Sequence, residues 1–247
     1  AINQIIYGVA FYLMEKISGD EKSSYQKLSF AMYFLGMFNL MFNWGHHIYL
    51  LPTEKIIHYI AYAVSMTEWI LFIRIFYKWN KQIKENKQHY YFFPYRFLMA
   101  ADYWVIINLG MALLMSIPAI NLYTHGTHIT VAHAMGTTIG INTMIILAAS
   151  FYFIKPTFLS KKTLKLNSLF FWSTQLILLT FLISLIGMGI QRALWQVGLK
   201  KSTFSQMTQA SSLWTLLFII LGTLLMIFMG YFIIYLILKS LKKNQVT

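Results

Sequence analysis

The chain has 247 residues, of which 58% are hydrophobic and only 11% are charged, and this composition excludes a soluble domain and indicates repeated membrane crossing. Cysteine is absent, which excludes disulfides, thiolate metal ligands, iron–sulfur clusters and covalently attached c-type haem. The net charge of +13 does not indicate nucleic-acid binding, because lysine and arginine lie mainly between apolar segments and at their ends.

Seven apolar segments follow one another and predict an all-α, polytopic transmembrane bundle that forms a single membrane domain, residues 1–247. All but the first are long enough to cross a hydrocarbon core of about 30 Å at about 1.5 Å per residue. The first is short, and the chain starts without Met or a signal-peptide pattern. We therefore expect the C-terminal part of a longer or split protein, with a processed N-terminus as the alternative. The segments are approximately 1–17, 27–51, 56–79, 97–118, 125–154, 167–192 and 211–238.

The connections between these segments alternate in charge. Lysine and arginine are frequent in 78–96, in 155–165 and in the C-terminal tail, whereas 52–55 has one lysine and 119–124 has neither residue. The positive-inside rule then places the basic connections and the C-terminus in the cytoplasm. The 193–210 connection, which carries two lysines, is a mild exception.

Histidines are concentrated in two of the apolar segments. A histidine within hydrocarbon is costly unless it is paired, hydrogen-bonded or bound to a metal, and imidazole is a common ligand of iron, copper and zinc. Counted in helical turns, the pair in 27–51 and the last histidine of the group in 125–154 lie at similar depth, near the non-cytoplasmic face. The pattern predicts a haem or metal site there. The histidines are His46, His47, His125, His128 and His133.

The spacing of these histidines and of two further residues, Met135 and Glu68, indicates which of them could bind the same metal or cofactor. Residues i and i+2 point about 200° apart on an α-helix, so His133 and Met135 face opposite sides and could address two cofactors. His46 and His47 point about 100° apart and can converge on one ion if other ligands complete its shell. Glu68 lies deep in an apolar segment, where a carboxylate is usually neutral, paired or part of a proton path. The competing interpretations are interfacial histidines bonded to loops, an ion pair at Glu68, and ordinary core packing for Met135.

Taken together, these stretches resemble the catalytic subunit of bacterial nitric oxide reductase, in the haem–copper oxidase superfamily. The sequence at 43–49 resembles the family's Gly-His-His-Tyr helix, 65–68 its Ser-x-x-Glu, and 118–127 the run into the haem-ligand helix. The most specific stretch is 125–133, His-Gly-Thr followed by Ala-His six residues on. The chain would cover roughly the second half of that subunit.

The resemblance implies a role for each of these residues. His46 and His47 would be two of three histidines on the non-haem metal, which is iron in this family. His133 would be the axial ligand of the high-spin haem b, and Glu68 would assist proton delivery or metal positioning. His125 and His128 would lie near the haem propionates.

One position departs from the family's pattern, which has His-x-His where this chain has His133-Ala134-Met135. The second histidine of the family ligates the low-spin haem. A thioether can replace it, and His/Met ligation raises a haem's potential relative to bis-His ligation. Alternatively, the low-spin haem is absent or its ligand comes from elsewhere. The remaining ligands of the family would come from N-terminal helices of the same subunit or from a companion chain.

The implied activity is the reduction of two nitric oxide molecules to nitrous oxide in the bacterial cytoplasmic membrane, as in denitrification. Electrons would come from a cytochrome c-type subunit or from quinol. A rival function is that of an oxygen-reducing terminal oxidase with copper at the non-haem site. One branch of those oxidases has a tyrosine about two turns before the paired histidines, where residues 39–42 here contain none, and Glu68 also fits the nitric oxide branch better. A non-catalytic membrane subunit that retains the fold and a proton-relaying transporter without haem are two further candidate functions.

Overall fold

The computed structural model describes residues 2–18, 52–63, 92–155 and 161–244, and these residues form helices and short connections without any strand. The predicted all-α transmembrane bundle is thereby confirmed. Residues 55–63 are also helical. The other helices are α1 (Ile2–Ser18), α2 (Phe93–Met115), α3 (Pro118–Thr124), α4 (His128–Met135), a π-helical segment (Gly136–Thr143), α5 (Met144–Ile154), α6 (Lys161–Gln196), α7 (Phe204–Ala210) and α8 (Ser212–Asn244).

In the described part of the chain, four helices are long and apolar enough to cross a membrane, so the protein is an integral membrane protein. They correspond to the last four predicted segments. Segment 27–51 and most of segment 56–79 lie outside the described residues. The four spans are Phe93–Met115, His128–Ile154, Lys161–Gln196 and Ser212–Leu241.

The structure corrects two predicted connections, which contain short helices. Residues 119–124 belong to α3, which starts at Pro118, where the fixed backbone angle of proline suits a first helical turn. Part of 193–210 forms α7, whose first turn is closed by a reciprocal capping box between Thr203 and Gln206. The predicted segment 125–154 also begins later than expected, because its helix starts at His128.

A cluster of buried phenylalanines fixes the direction of the four spans. Phe97, near the start of α2, stacks on Phe151 near the end of α5, with ring centroids 5.3 Å apart. It also contacts Phe171 of α6 edge-on at 5.2 Å and Phe232 of α8 at 5.1 Å. Successive spans therefore run antiparallel. This aromatic cluster lies at the end of the bundle where α5 ends and α6 begins, and the histidine-rich turn lies at the opposite end.

Two side-chain hydrogen bonds hold α2 against α6. Arg96 donates from Nη1 to Ser168 Oγ at 2.7 Å, and Trp104 donates from Nε1 to Gln175 Oε1 at 2.8 Å. Hydrogen bonds between membrane helices contribute about 0.6–2 kcal/mol each, so their main effect is to fix the register of the two helices.

The span that carries the histidines changes its winding in the middle. Residues Gly136–Thr143 are π-helical, and the hydroxyl of Thr143 donates to the carbonyl of Thr138, five residues earlier, at 2.8 Å. Such π segments are rare and occur frequently at functional sites. This one begins directly after Met135 and ends where α5 begins.

Candidate functional site

The structure describes four of the seven predicted site residues: His125, His128, His133 and Met135. The other three, His46, His47 and Glu68, lie outside the described residues. Within the described ranges, no group of three or more histidine, aspartate or glutamate side chains is close enough to hold a metal ion. The predicted non-haem metal site therefore remains a prediction, and the described part of the site is the start of the His128–Ile154 span.

Threonines shape the turn that leads into this span. The carbonyl of Thr124 accepts a hydrogen bond from the Thr127 hydroxyl at 2.7 Å and another from the Thr130 hydroxyl at 2.9 Å. Thr127 is also the N-cap of α4, because its Oγ1 accepts from the backbone N–H of Ile129 at 3.2 Å. The last of these bonds satisfies one of the backbone N–H donors that a helix start leaves open, and all three fix the backbone between the first two histidines of the group.

His133 and Met135 both lie on the last turn of α4, which is regular α-helix up to Met135. Their side chains therefore leave the helix about 200° apart, as predicted. Both are half-buried, and Met135 packs against the described hydrophobic core. This contact fits a packing role, and haem ligation by Met135 stays a prediction.

Helix α6 approaches the start of α4 very closely. A Cβ atom at Gly189 would lie 2.6 Å from the backbone nitrogen of Ile129 and 3.2 Å from the carbonyl carbon of His128, so only glycine permits this contact. One turn further along α6, Arg192 lies close enough to His128 for their charges to interact. The end of the site thus combines an imidazole and a guanidinium from two helices.

These two side chains present polar atoms that other described residues leave unsatisfied. His128 Nδ1 and Arg192 Nε are both buried and have no hydrogen-bond partner in the described ranges. A buried polar group without a partner costs about 1–3 kcal/mol. A carboxylate would accept hydrogen bonds from both, because guanidinium and imidazole N–H groups are strong donors to anions. The residues present therefore fit a haem propionate at this end of the span.

Sequence reasoning missed three features around His133: Arg192, the π segment, and a polar contact from α2. Two signals in the sequence point to the contact with α2: the Gly136-x-x-x-Gly140 spacing, which permits close helix packing, and Asn108, a polar residue within an apolar span. Neither signal points to Arg192 or to the π segment. In the structure, Gly136 faces Asn108 and Gly140 faces the ring of Trp104.

Comparison with known proteins identifies the family. The family described as cytochrome c and quinol oxidase polypeptide I matches residues 3–224. Its members are membrane oxidoreductases that bind haem and a metal centre and work with other subunits and electron donors. No curated protein matches the chain. Because the match covers most of the 247 residues, the chain belongs to the cytochrome c and quinol oxidase polypeptide I family, subunit I of the haem–copper oxidase superfamily.

Proposed function

We propose that this chain is the C-terminal part of a nitric oxide reductase catalytic subunit, which reduces two nitric oxide molecules to nitrous oxide. The observation that carries the proposal is the start of the His128–Ile154 span. There, His133, the expected ligand of the high-spin haem, lies further along the helix than His128. His128 and Arg192 carry the two unsatisfied donors that suit a propionate. The rest of the ligand set comes from the resemblance and from residues outside the described ranges.

Depth along the helix supports this assignment. His133 follows His128 by five positions, which corresponds to about 7.5 Å along the axis at about 1.5 Å per residue. In a haem, the propionate carboxylates are likewise some distance from the iron, so two residues at different depths can contact them. Five residues also turn an α-helix by about 140°, so the two imidazoles leave α4 in different directions and the assignment rests on depth alone. On this assignment, His128 and Arg192 would hold the carboxylate end, and His133 would hold the iron. His125, which precedes the helix, would lie near the same carboxylates.

The remaining residues would complete the pocket. His46 and His47 would hold the non-haem iron, and Glu68 would hold or transfer a proton beside it. Met135 would offer its thioether to a low-spin haem on the other side of α4. When bound, the high-spin haem and the non-haem iron would each hold one nitric oxide and would pass on the two electrons of the reduction. Two protons would be taken up, so that the products are nitrous oxide and water.

The charge pattern suggests the orientation. The basic connections and the C-terminus would lie in the cytoplasm of a bacterium, so the histidine-rich end would face the outer side of the inner membrane. A cytochrome c-type subunit or quinol would deliver electrons from there. N-terminal helices of the same subunit, or a companion chain, would supply the missing ligands, and residues 1–247 would fold as one membrane domain with them.

The second candidate is an oxygen-reducing oxidase of the same family, with copper at the non-haem site. The absence of tyrosine from residues 39–42 and the presence of Glu68 favour nitric oxide. A non-catalytic subunit would not need the donors at His128 and Arg192, and a transporter would contain no haem.

The proposal is tested with the purified whole complex. We expect it to consume nitric oxide, produce nitrous oxide and reduce oxygen more slowly. His133→Ala should abolish the optical signal of the high-spin haem and the activity. His58→Ala is the matched control, because His58 is half-buried, is hydrogen-bonded to Thr53 at 2.7 Å and is not one of the predicted site residues. Faster reduction of oxygen than of nitric oxide, with copper in the complex, would favour the oxidase instead.

A further inference from the structure

We propose that Asn108 and Thr137 act as a positioning relay that fixes the turn of α4 carrying His133. The relay links α2 to the backbone of His133 through two hydrogen bonds. It rests on the proposed function, because what it positions is the axial ligand of the high-spin haem.

The hydrogen bonds run in one direction. Asn108 donates from Nδ2 to Thr137 Oγ1 at 2.5 Å, and the Thr137 hydroxyl donates to the carbonyl of His133 at 3.3 Å. The hydroxyl thus accepts one bond and donates the other. Asn108 is 3% exposed and makes the first bond inside the bundle, where water does not compete.

The backbone at Gly136, beside the relay, approaches the Asn108 side chain so closely that it leaves no room for a larger residue at 136. A Cβ at Gly136 would lie 2.5 Å from Asn108 Oδ1 and 3.0 Å from its Cγ, so the amide occupies the space that any larger residue at 136 would need. Asn108 Oδ1 is buried and has no hydrogen-bond partner among the described residues. The side chain therefore leaves one of its own acceptors unsatisfied, at a cost of about 1–3 kcal/mol, while its Nδ2 makes the bond to Thr137.

The location of the relay explains why a positioning device is needed. Regular α-helix ends at Met135 and the π segment starts at Gly136, so the turn with His133 lies at a change in helical winding. A backbone rotation there would turn the imidazole with it. By tying the His133 carbonyl to α2, the relay fixes the direction from which the ring reaches an iron atom.

The neighbouring residue provides a matched comparison. The hydroxyl of Thr138 donates to the carbonyl of Ala134 at 3.0 Å, which is the same kind of bond one residue later. Thr138 is exposed on the bundle surface, whereas Thr137 is half-buried against Asn108. Thr138→Val thus removes a back-bond of the same kind and leaves the relay intact.

The experiment measures the iron–histidine stretching band of the reduced high-spin haem by resonance Raman spectroscopy, with haem content per complex measured in parallel. We expect Thr137→Val to shift or split the band while the haem is retained. Thr137→Ser keeps the hydroxyl and should restore the wild-type band, and Thr138→Val should leave it unchanged. Asn108→Ala should shift the band as Thr137→Val does, and the double variant should shift it no further, because both residues act through one chain of bonds.

Two results would overturn the relay: an unchanged band in Thr137→Val, or an equal shift in Thr138→Val. If Thr137→Val yields too little complex, Asn108→Ala gives the same reading. His133→Ala separates this inference from the proposed function. Loss of the high-spin haem in His133→Ala with an unchanged band in Thr137→Val refutes the relay alone, whereas a retained high-spin haem in His133→Ala refutes the ligand assignment itself.

Discussion

Gly140 is the position where a single methyl group should disturb the bundle most clearly. A Cβ there would lie 2.7 Å from Cγ and 2.9 Å from Cδ2 of the Trp104 ring. The ring cannot easily retreat, because Trp104 is 4% exposed and its Nε1 is bonded to Gln175 at 2.8 Å. Gly140→Ala must therefore displace α2, break that hydrogen bond, or do both.

The expected cost follows from these contacts. Overpacking costs about 1–3 kcal/mol, and loss of the hydrogen bond adds about 0.5–1.5 kcal/mol. Alanine gains back about 0.5–1 kcal/mol relative to glycine within a helix. We expect Gly140→Ala to destabilise the protein by roughly 0.5–4 kcal/mol in total.

The assay heats the purified complex in detergent and measures the temperature at which half of it leaves the monodisperse peak. Gly110→Ala is the control, because no described atom lies within 4 Å of a Cβ at this position of α2. This temperature should be lower for Gly140→Ala than for the wild type, and for Gly110→Ala it should equal or exceed the wild-type temperature. Adding Trp104→Leu to Gly140→Ala should cost less than the two separate effects combined, because the smaller side chain leaves room for the methyl group. If Gly140→Ala is as heat-resistant as Gly110→Ala, the close packing of the π segment on α2 is wrong.

Three further changes test other parts of the structure. Phe97→Ala should destabilise the complex by about 3–5 kcal/mol in the same heating assay, because the ring is fully buried and contacts the rings of Phe151, Phe171 and Phe232. Phe153→Ala is the control and should cost much less, because that ring is 60% exposed. Arg192→Met should make the complex lose haem faster to apomyoglobin, because the proposed propionate contact would lose its charged donor. An unchanged rate would contradict the role proposed for Arg192. Thr203→Ala should cost about 1 kcal/mol by removing the capping box, visible as faster hydrogen exchange in 204–210 with haem content unchanged.

The long helices could be predicted from the sequence because the bilayer imposes their length. Each described span is an apolar run bounded by polar or basic residues, and such a run needs no partner to be recognised. The short helices α3 and α7 could not be found in this way, since seven residues give no hydrophobic period. Their start signals, Pro118 and the Thr203–Gln206 pair, are local and visible in the sequence.

The site was predictable only where it depends on positions along one helix. The depth of His133 below His128 follows from the helical rise alone. Arg192 could not be assigned in the same way, because it reaches His128 through the contact at Gly189 between two helices distant in sequence. The π segment was missed for another reason: a hydrophobic pattern read at 3.6 residues per turn does not register a local change of winding.

The most direct test of the central claim is a reduced-minus-oxidised optical spectrum of the purified complex, with haem, iron and copper quantified per copy of this chain. We predict one high-spin haem b held by His133, one non-haem iron, and a second, low-spin haem b for which Met135 is the candidate ligand. A complex without haem would contradict the proposed function.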